Sequence, residues 1–139
     1  MDMSLTLEPA DRLRRMGFVK CGDWLLVSEK PKCTLTQYDS AQNVLYAFVS
    51  LDTVMYIGKT VQPLKRRMYG YENPGGTQST NSKGNKLILE FLSKKQPVEV
   101  YALPDNGLLY YGGFHVNLAA GLEDSLVDVI KPVWNKVGV

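Results

Sequence analysis

Two neighbouring apolar stretches form the clearest pattern in this 139-residue chain. Residues 44–50 and 53–58 are rich in valine, isoleucine, tyrosine and phenylalanine, which favour strands. A short break at Leu51-Asp52 separates them. The pattern therefore predicts a β-hairpin near the middle of the chain.

The region before this hairpin predicts a helix, a pair of short strands and a loop. Residues 9–16 suggest a short helix that a glycine ends. Residues 18–28 predict two short strands around Gly22-Asp23, a turn-forming pair. Residues 30–43 contain a proline and scattered polar residues, and they predict a loop.

After the hairpin, helices and loops alternate. Leu64, Met68 and Tyr71 recur at the spacing of one helix face and predict a helix over 63–70. The chain then continues with an exposed polar loop at 72–85, a helix at 87–95, a strand at 98–103, a loop at 104–117 and a final helix at 118–131. This order predicts an α/β (α+β) fold with a small central, mostly antiparallel three-stranded sheet flanked by helices, and an N-terminal strand pair.

The composition is ordinary, with 45% hydrophobic and 22% charged residues. No apolar run approaches the roughly 18 residues of a membrane span. The amino terminus lacks the basic and apolar segments of a secretory signal. We therefore expect a cytoplasmic protein that has no membrane partner. Cys21 and Cys33 lack neighbours at zinc-site spacing, and we expect them to be reduced.

Half of the cationic residues lie in one central stretch, although the net charge is only +2. Eight of the sixteen lysines and arginines fall between residues 59 and 95: Lys59, Lys65, Arg66, Arg67, Lys83, Lys86, Lys94 and Lys95. This basic stretch is compatible with a surface for a polyanion, and equally with the solvated face of a helix.

The register of the predicted hairpin decides whether Tyr46 and Tyr56 share a face of the sheet. With a three-residue loop at 51–53, Phe48 faces Tyr56, Tyr46 faces Gly58, and both tyrosines lie on one face. A two-residue loop would place them on opposite faces. Ordinary strand packing would also account for two tyrosines here.

Two charged side chains fall at unusual positions on the predicted helices. Arg67 lies at the edge of the apolar stripe of its helix, whereas Arg66 points to solvent. Glu123 interrupts the apolar stripe of the last helix, which comprises Ala119, Leu122, Leu126, Val129 and Ile130 with Val127 at its edge. A carboxylate against apolar surface is costly unless it meets a cation, a metal ion or hydrogen-bond donors. An ion pair with a lysine or arginine is the plain alternative to a functional site.

Together these residues resemble the GIY-YIG nuclease superfamily. The second signature motif is intact as Tyr56-Ile57-Gly58, whereas Val44-Leu45-Tyr46 keeps only the tyrosine of the first motif. Residues 63–67 are similar to the following helix with its arginine. Glu123 matches the metal-binding glutamate of the family, and Asn135 matches its late asparagine.

The resemblance covers residues 43–135 and is nearest to the small restriction and phage endonucleases. Tyr71 stands where many members have a histidine four residues after the arginine, and the single histidine, His115, lies in another segment. We expect one domain over residues 1–139, with 1–42 as an N-terminal extension and 43–139 as the catalytic core.

The resemblance implies a metal-dependent endonuclease that hydrolyses phosphodiester bonds in double-stranded DNA, with one Mg²⁺ or Mn²⁺ ion at Glu123. The resemblance implies that Tyr46 is the general base and that Lys59 and Tyr71 favour its phenolate. It implies that Tyr56 positions water or phosphate and that Arg67 holds the phosphate. Asn135 would orient Glu123 or a metal-bound water. Further DNA contacts are expected from Arg66, Lys83 and Lys86, with base contacts from the loops at 72–85 and 104–117. Cleavage of both strands by a chain with one active centre favours a homodimer or larger homo-oligomer.

Other interpretations fit the same residues. The degenerate first motif is compatible with a DNA-binding module that does not cleave. A protein-interaction domain is a further alternative, in which Arg67 and Glu123 form a structural ion pair. Host restriction, phage attack, repair and self-protection are all compatible roles for a nuclease of this kind.

Overall fold

The computed structural model describes residues 8–75, 79–104 and 110–136. Its elements follow one another as α1 (Pro9–Met16), β1 (Val19–Val27), β2 (Lys30–Leu35), β3 (Val44–Ser50), β4 (Thr53–Thr60), α2 (Leu64–Glu72), α3 (Ser79–Ser93), β5 (Val98–Pro104), β6 (Tyr110–Tyr111), β7 (Phe114–His115), α4 (Leu118–Ile130) and α5 (Val133–Lys136). The predicted mixture of helices with an antiparallel sheet is confirmed. None of the helices in the described ranges combines the length and apolar character needed to cross a membrane.

The main sheet has five strands in the order β2-β1-β5-β3-β4, and each neighbouring pair is antiparallel. The expected three-stranded sheet is therefore too small. The N-terminal strand pair is not separate from it, because β1 pairs with β5 from Val19 opposite Ala102 to Trp24 opposite Val98. Local patterns predict strands but not which strands pair over long sequence distances.

The β3–β4 hairpin places Tyr46 opposite Gly58 and Phe48 opposite Tyr56, as predicted. Its loop has two residues rather than three: Leu51 and Asp52 have φ values of 48° and 62°, typical of a type I′ turn. The pairing shifts between Phe48 and Val49, so that one residue of β4 bulges. The bulge compensates for the shorter loop, and both tyrosines remain on one face.

The N-terminal hairpin differs from the prediction. β1 is one continuous strand, and β2 lies within the stretch predicted as a loop. The turn is at Ser28 and Glu29, with φ values of 51° and 65°. Gly22 lies inside β1, where a β-carbon would overlap the Thr34 carbonyl oxygen of β2. This glycine therefore permits close strand approach instead of forming a turn.

Helices cover both faces of the main sheet. On one face α1 and α4 pack over an apolar cluster that includes Leu45, Ala47 and Ile57. On the other face α2 and α3, with Trp134 of α5, pack over a cluster that includes Tyr46, Phe48 and Tyr56. The β4 strand lies at the sheet edge, so side chains from both layers can meet around it.

Two predicted loops contain regular structure. Helix α3 begins at Ser79 rather than at residue 87, so much of the stretch 72–85 is helical; residues 76–78 lie outside the described ranges. Asn85 Nδ2 donates to the Tyr71 carbonyl oxygen at 2.8 Å, which fixes this early part of α3 against α2. The second loop, 104–117, includes the short β6–β7 hairpin.

Candidate active site

The guanidinium of Arg67 lies at the centre of a hydrogen-bond network between the sheet and the two helices above it. Its Nε donates to Tyr46 Oη at 3.1 Å and its Nη2 donates to Tyr71 Oη at 2.9 Å. Its Nη1 donates to Asn81 Oδ1 at 2.5 Å. The two tyrosine oxygens are themselves hydrogen-bonded, 2.7 Å apart. The sequence prediction that Arg67, and not Arg66, faces the sheet is confirmed.

This network fixes Arg67 without using all of its donors. A guanidinium has five N–H groups, and its described hydrogen bonds use one on each nitrogen. Among the residues that the structure describes, each terminal nitrogen therefore keeps one further N–H group, and Arg67 is only partly buried. The guanidinium carbon also lies 4.2 Å from the centre of the Tyr71 ring, a cation–π contact that restricts its position. The arrangement leaves an oriented fork that could bind an anion.

Burial governs the ionisation of both tyrosines. Tyr46 is 1% exposed and Tyr71 is fully buried. Desolvation raises the pKa of Tyr46 because the phenolate loses its hydration, and the Arg67 cation offsets this only in part. Burial raises the pKa of Tyr71 for the same reason. Loss of hydration alone would lower the pKa of Arg67, but the surrounding tyrosines raise this pKa, so Arg67 stays protonated.

Tyr56 connects this network to a cavity at the sheet edge. The ring centres of Tyr46 and Tyr56 lie 6.1 Å apart on the same face of the sheet, which confirms the predicted juxtaposition. Tyr56 also lines a cavity of about 330 Å³ together with Glu123 and Asn135. The network around Arg67 and the carboxylate of Glu123 therefore lie on either side of one tyrosine.

Glu123 projects from α4 into this cavity with its side chain 22% exposed. Burial raises its pKa, while the charge of Lys59 and a backbone hydrogen bond from Lys59 lower it and Asp124 raises it. Lys59 Nζ is 3.9 Å from Glu123 Oε1. The prediction that a carboxylate is partly buried beside the apolar stripe of this helix is therefore confirmed. The stripe itself is rotated from the prediction, because Val129 is 61% exposed.

Lys59 has a partner that differs from the expected one, and the ion pair of one alternative interpretation is not formed. Lys59 was expected to favour the phenolate of Tyr46, but its charge is paired with Glu123. Strand alternation explains this, because Lys59 and Gly58 project to opposite faces of β4. The alternative ion pair between Arg67 and Glu123 is also wrong, since Arg67 donates to Tyr46, Tyr71 and Asn81.

Asn135 binds the backbone of β4 at the edge of the sheet. Its Oδ1 accepts from the Ile57 backbone N–H and its Nδ2 donates to the Ile57 carbonyl oxygen, both at 3.0 Å. The amide thus replaces a neighbouring strand along β4. It was expected to orient Glu123 or a bound water, and these two bonds direct it to the backbone instead.

The residues expected to contact DNA lie on the outside of the helical layer. Arg66 is exposed on α2, and Lys83 and Lys86 are exposed on α3. The side chain of His115 lies outside the described part of the structure.

Asn81 is a site residue that the sequence pattern did not reveal. It is 7% exposed and lies in the stretch predicted as an exposed polar loop. Its signal in the sequence is weak: Asn81, Gly84 and Ile88 recur at the spacing of one helix face, although only Ile88 is apolar. Gly84 allows the helix to approach, since a β-carbon there would lie 2.6 Å from Tyr71 Cε1.

The donor set at Glu123 suits one class of metal ion. Among the described residues, no three histidine, cysteine, aspartate or glutamate side chains come together. Zinc sites with three or four protein ligands are therefore not represented in this part of the chain. Mg²⁺ keeps several waters and commonly binds through one or two carboxylates with substrate phosphates. The Glu123 carboxylate, in a cavity that Asp124 and Asp128 also line, fits this requirement.

Comparison with known proteins gives relatives by structure only. No protein-family model and no curated protein matches the sequence. A glutamate-to-alanine mutant of bacteriophage T4 EndoII superposes with a TM-score of 0.72 at 22% identity, covering 93% of this chain and 99% of that one. The restriction endonuclease HPY188I, in complex with product DNA, superposes with a TM-score of 0.55 at 15% identity, covering 88% and 79%. At these identities the comparisons establish that the chain has the fold of these two proteins.

Proposed function

We propose that this protein is a divalent-metal-dependent endonuclease of the GIY-YIG type that hydrolyses phosphodiester bonds in double-stranded DNA. The observation that carries the proposal is the Arg67 fork, fixed by Tyr46, Tyr71 and Asn81 beside the cavity of Glu123. The fold agrees with it, because the similar structures include bacteriophage T4 EndoII and a restriction endonuclease in complex with product DNA.

Arg67 would hold the scissile phosphate. Its remaining N–H groups, one on each terminal nitrogen, suit two oxygens of a phosphate, and the bonds already made to the tyrosines and Asn81 fix its orientation. Donors that are held in place before the reaction stabilise the charge that develops on the phosphate without reorganising. Arg66, Lys83 and Lys86 would hold the DNA backbone on the same side of the molecule.

Glu123 would hold the metal ion, Mg²⁺ or Mn²⁺, whose chemistry when bound is to stabilise charge on the leaving oxygen. The carboxylate is already partly desolvated, and Lys59 is close enough to hold it in its ionised form. Tyr56, on the wall of the same cavity, would orient a water molecule or a phosphate oxygen between Glu123 and Arg67.

Tyr46 would accept the proton of the attacking water. Its oxygen is hydrogen-bonded by Arg67 Nε and lies 2.7 Å from Tyr71 Oη, and both groups can stabilise negative charge there. Burial nevertheless raises the pKa of Tyr46, so its phenolate is a minor form at neutral pH. The reaction should therefore accelerate as the pH rises.

Incubation with supercoiled plasmid tests the proposal. In the presence of Mg²⁺ or Mn²⁺ we expect nicked and linear products, and in EDTA none. Arg67→Lys keeps the charge but loses the fork, and the rate should fall about 10²-fold. Arg15→Lys, an exposed position on α1, makes the same change and serves as the control. Intact plasmid with both metals would contradict the nuclease function.

A DNA-binding module without cleavage is the second candidate. The buried Tyr46 favours it, because burial raises its pKa and a phenol that is largely protonated is a poor base. Persistent duplex binding together with intact plasmid at all pH values would identify this function.

A further inference from the structure

The β6–β7 hairpin presents three large aromatic side chains to solvent. Tyr110 is 61% exposed, Tyr111 is 84% exposed and Phe114 is 78% exposed. Gly112 and Gly113, with φ values of 60° and 83°, form the turn between them. Exposed aromatic residues that cluster in this way commonly mark a surface for interaction, because isolated ones are the usual case in a monomer.

The topology brings this hairpin to the end of the sheet that carries the candidate active site. Pro104, the last residue of β5, pairs with Val44, which in turn pairs with Thr60 at the end of β4. On the other side, β7 ends three residues before α4 begins, and Glu123 lies in the second turn of α4. The hairpin is thus joined to α4 a few residues before Glu123, and β5, which precedes it in the chain, ends beside the end of β4 that carries Lys59.

The chemistry of this segment selects the kind of contact it can make. Between Asp105 and Glu123 the chain has no Asp, Glu, Lys or Arg, and His115 is its one imidazole, although 22% of the chain is charged. A segment without lysine or arginine does little to neutralise phosphates. It also carries no carboxylate that would repel them. Aromatic rings stack on nucleic-acid bases or wedge between base steps, and these contacts need no charge.

We propose that the β6–β7 hairpin contacts the bases of the duplex beside the scissile phosphate, through the rings of Tyr111 and Phe114. This inference rests on the proposed function. In this arrangement Arg67 and the lysines of α3 hold the backbone, while the aromatic hairpin partly unstacks a neighbouring base step and fixes the position of the strand to be cut.

Binding of a short fluorescent duplex in EDTA, measured by anisotropy over a range of salt concentrations, tests the inference. Tyr111→Ala and Phe114→Ala should each weaken binding roughly tenfold. The slope of log affinity against log salt should stay unchanged, because stacking releases no counterions. Leu51→Ala is the control: Leu51 is 70% exposed in the β3–β4 turn, at the opposite end of the sheet.

The outcomes are distinct. Weaker binding by both aromatic variants, with an unchanged salt slope and wild-type behaviour of Leu51→Ala, supports the inference. Unchanged affinity overturns it and leaves the proposed function intact. Unchanged affinity together with loss of an oligomer in sedimentation overturns it in favour of a contact between copies of the chain. A wild-type protein that does not bind the duplex overturns both the inference and the proposed function.

Discussion

Gly58 is the position at which a single methyl group should disable the site. It lies in β4 directly opposite Tyr46, and an added β-carbon would be 2.7 Å from Tyr46 Cζ and Oη and 2.8 Å from Tyr56 Cε2. The backbone there does not have a positive φ, so the constraint is space and not conformation. Both rings are buried, at 1% and 6% exposure, and cannot turn into solvent.

The cost of Gly58→Ala follows from these distances. The rings must retreat by about 0.7 Å to restore an ordinary contact of 3.4 Å. Overpacking of a buried site costs about 1–3 kcal/mol, which corresponds to a melting temperature lower by roughly 3–10 °C in a chain of this size. The displaced Tyr46 oxygen would also lose its geometry with Arg67, and a misplacement of about 1 Å can lower a rate about 10²-fold.

Gly121→Ala is the matched control for this variant. Gly121 is an exposed residue of α4, and within the described part of the structure its added β-carbon would meet Val116 Cγ1 at 4.0 Å, an ordinary contact. Because alanine favours a helix, this variant should be as stable as the wild type or more stable by about 0.5–1 kcal/mol. Its plasmid-nicking rate should not change.

Plasmid nicking well below the melting temperature, together with thermal unfolding, measures both effects. We expect Gly58→Ala to remain folded, to melt lower and to nick about 10²-fold more slowly. A folded Gly58→Ala protein that nicks at the wild-type rate would refute the assignment of the Tyr46–Tyr56 face as the active centre.

The remaining predictions concern three other residues of the site. The log of the nicking rate should rise with pH from 7 to 9 without a plateau, because burial raises the pKa of Tyr46; a plateau below pH 8 would identify another base. In Asn81→Ala the fold decrease in kcat should be about ten times the fold increase in KM, because Arg67 Nη1 loses the acceptor that helps to fix the guanidinium. Asn81→Asp keeps an acceptor for Nη1 and should retain more of the kcat. Equal losses of kcat in the two variants would contradict a positioning role. Asn135→Ala leaves the Ile57 backbone groups without their side-chain partner and should cost about 1–3 kcal/mol in denaturant unfolding; an unchanged midpoint would contradict this.

Local patterns predicted the elements of this fold better than the way they pair. The β3–β4 hairpin was visible because its strands are strongly β-forming. The β1–β2 turn was missed because Ser28 and Glu29 adopt a positive φ without the usual glycine or asparagine. The start of α3 was missed because Asn85 and the approach at Gly84 fix it against Tyr71, and such tertiary contacts override weak helix propensity.

The site was predictable where one helix or strand determines the direction of a side chain. The helical wheel separated Arg67 from Arg66 correctly, and the hairpin placed the two tyrosines on one face. Strand alternation alone would have assigned Lys59 to the face opposite Tyr56. Asn81 was beyond reach, because its contact with Arg67 depends on how α3 packs on α2.

Replacement of Glu123 by glutamine tests the central claim most directly. Burial raises the pKa of the Glu123 carboxyl group, because the folded protein favours its protonated form. The stability that this form contributes is present at low pH and is lost as the pH rises through the raised pKa. At neutral pH the ionised group therefore opposes folding, and Glu123→Gln should melt at the wild-type temperature or above it. In the same samples Mg²⁺-dependent plasmid nicking should fall about 10²-fold or more, while Glu90→Gln, an exposed change on α3, should nick normally. Retained nicking, or a melting temperature several degrees lower as expected for a structural ion pair, would contradict the account.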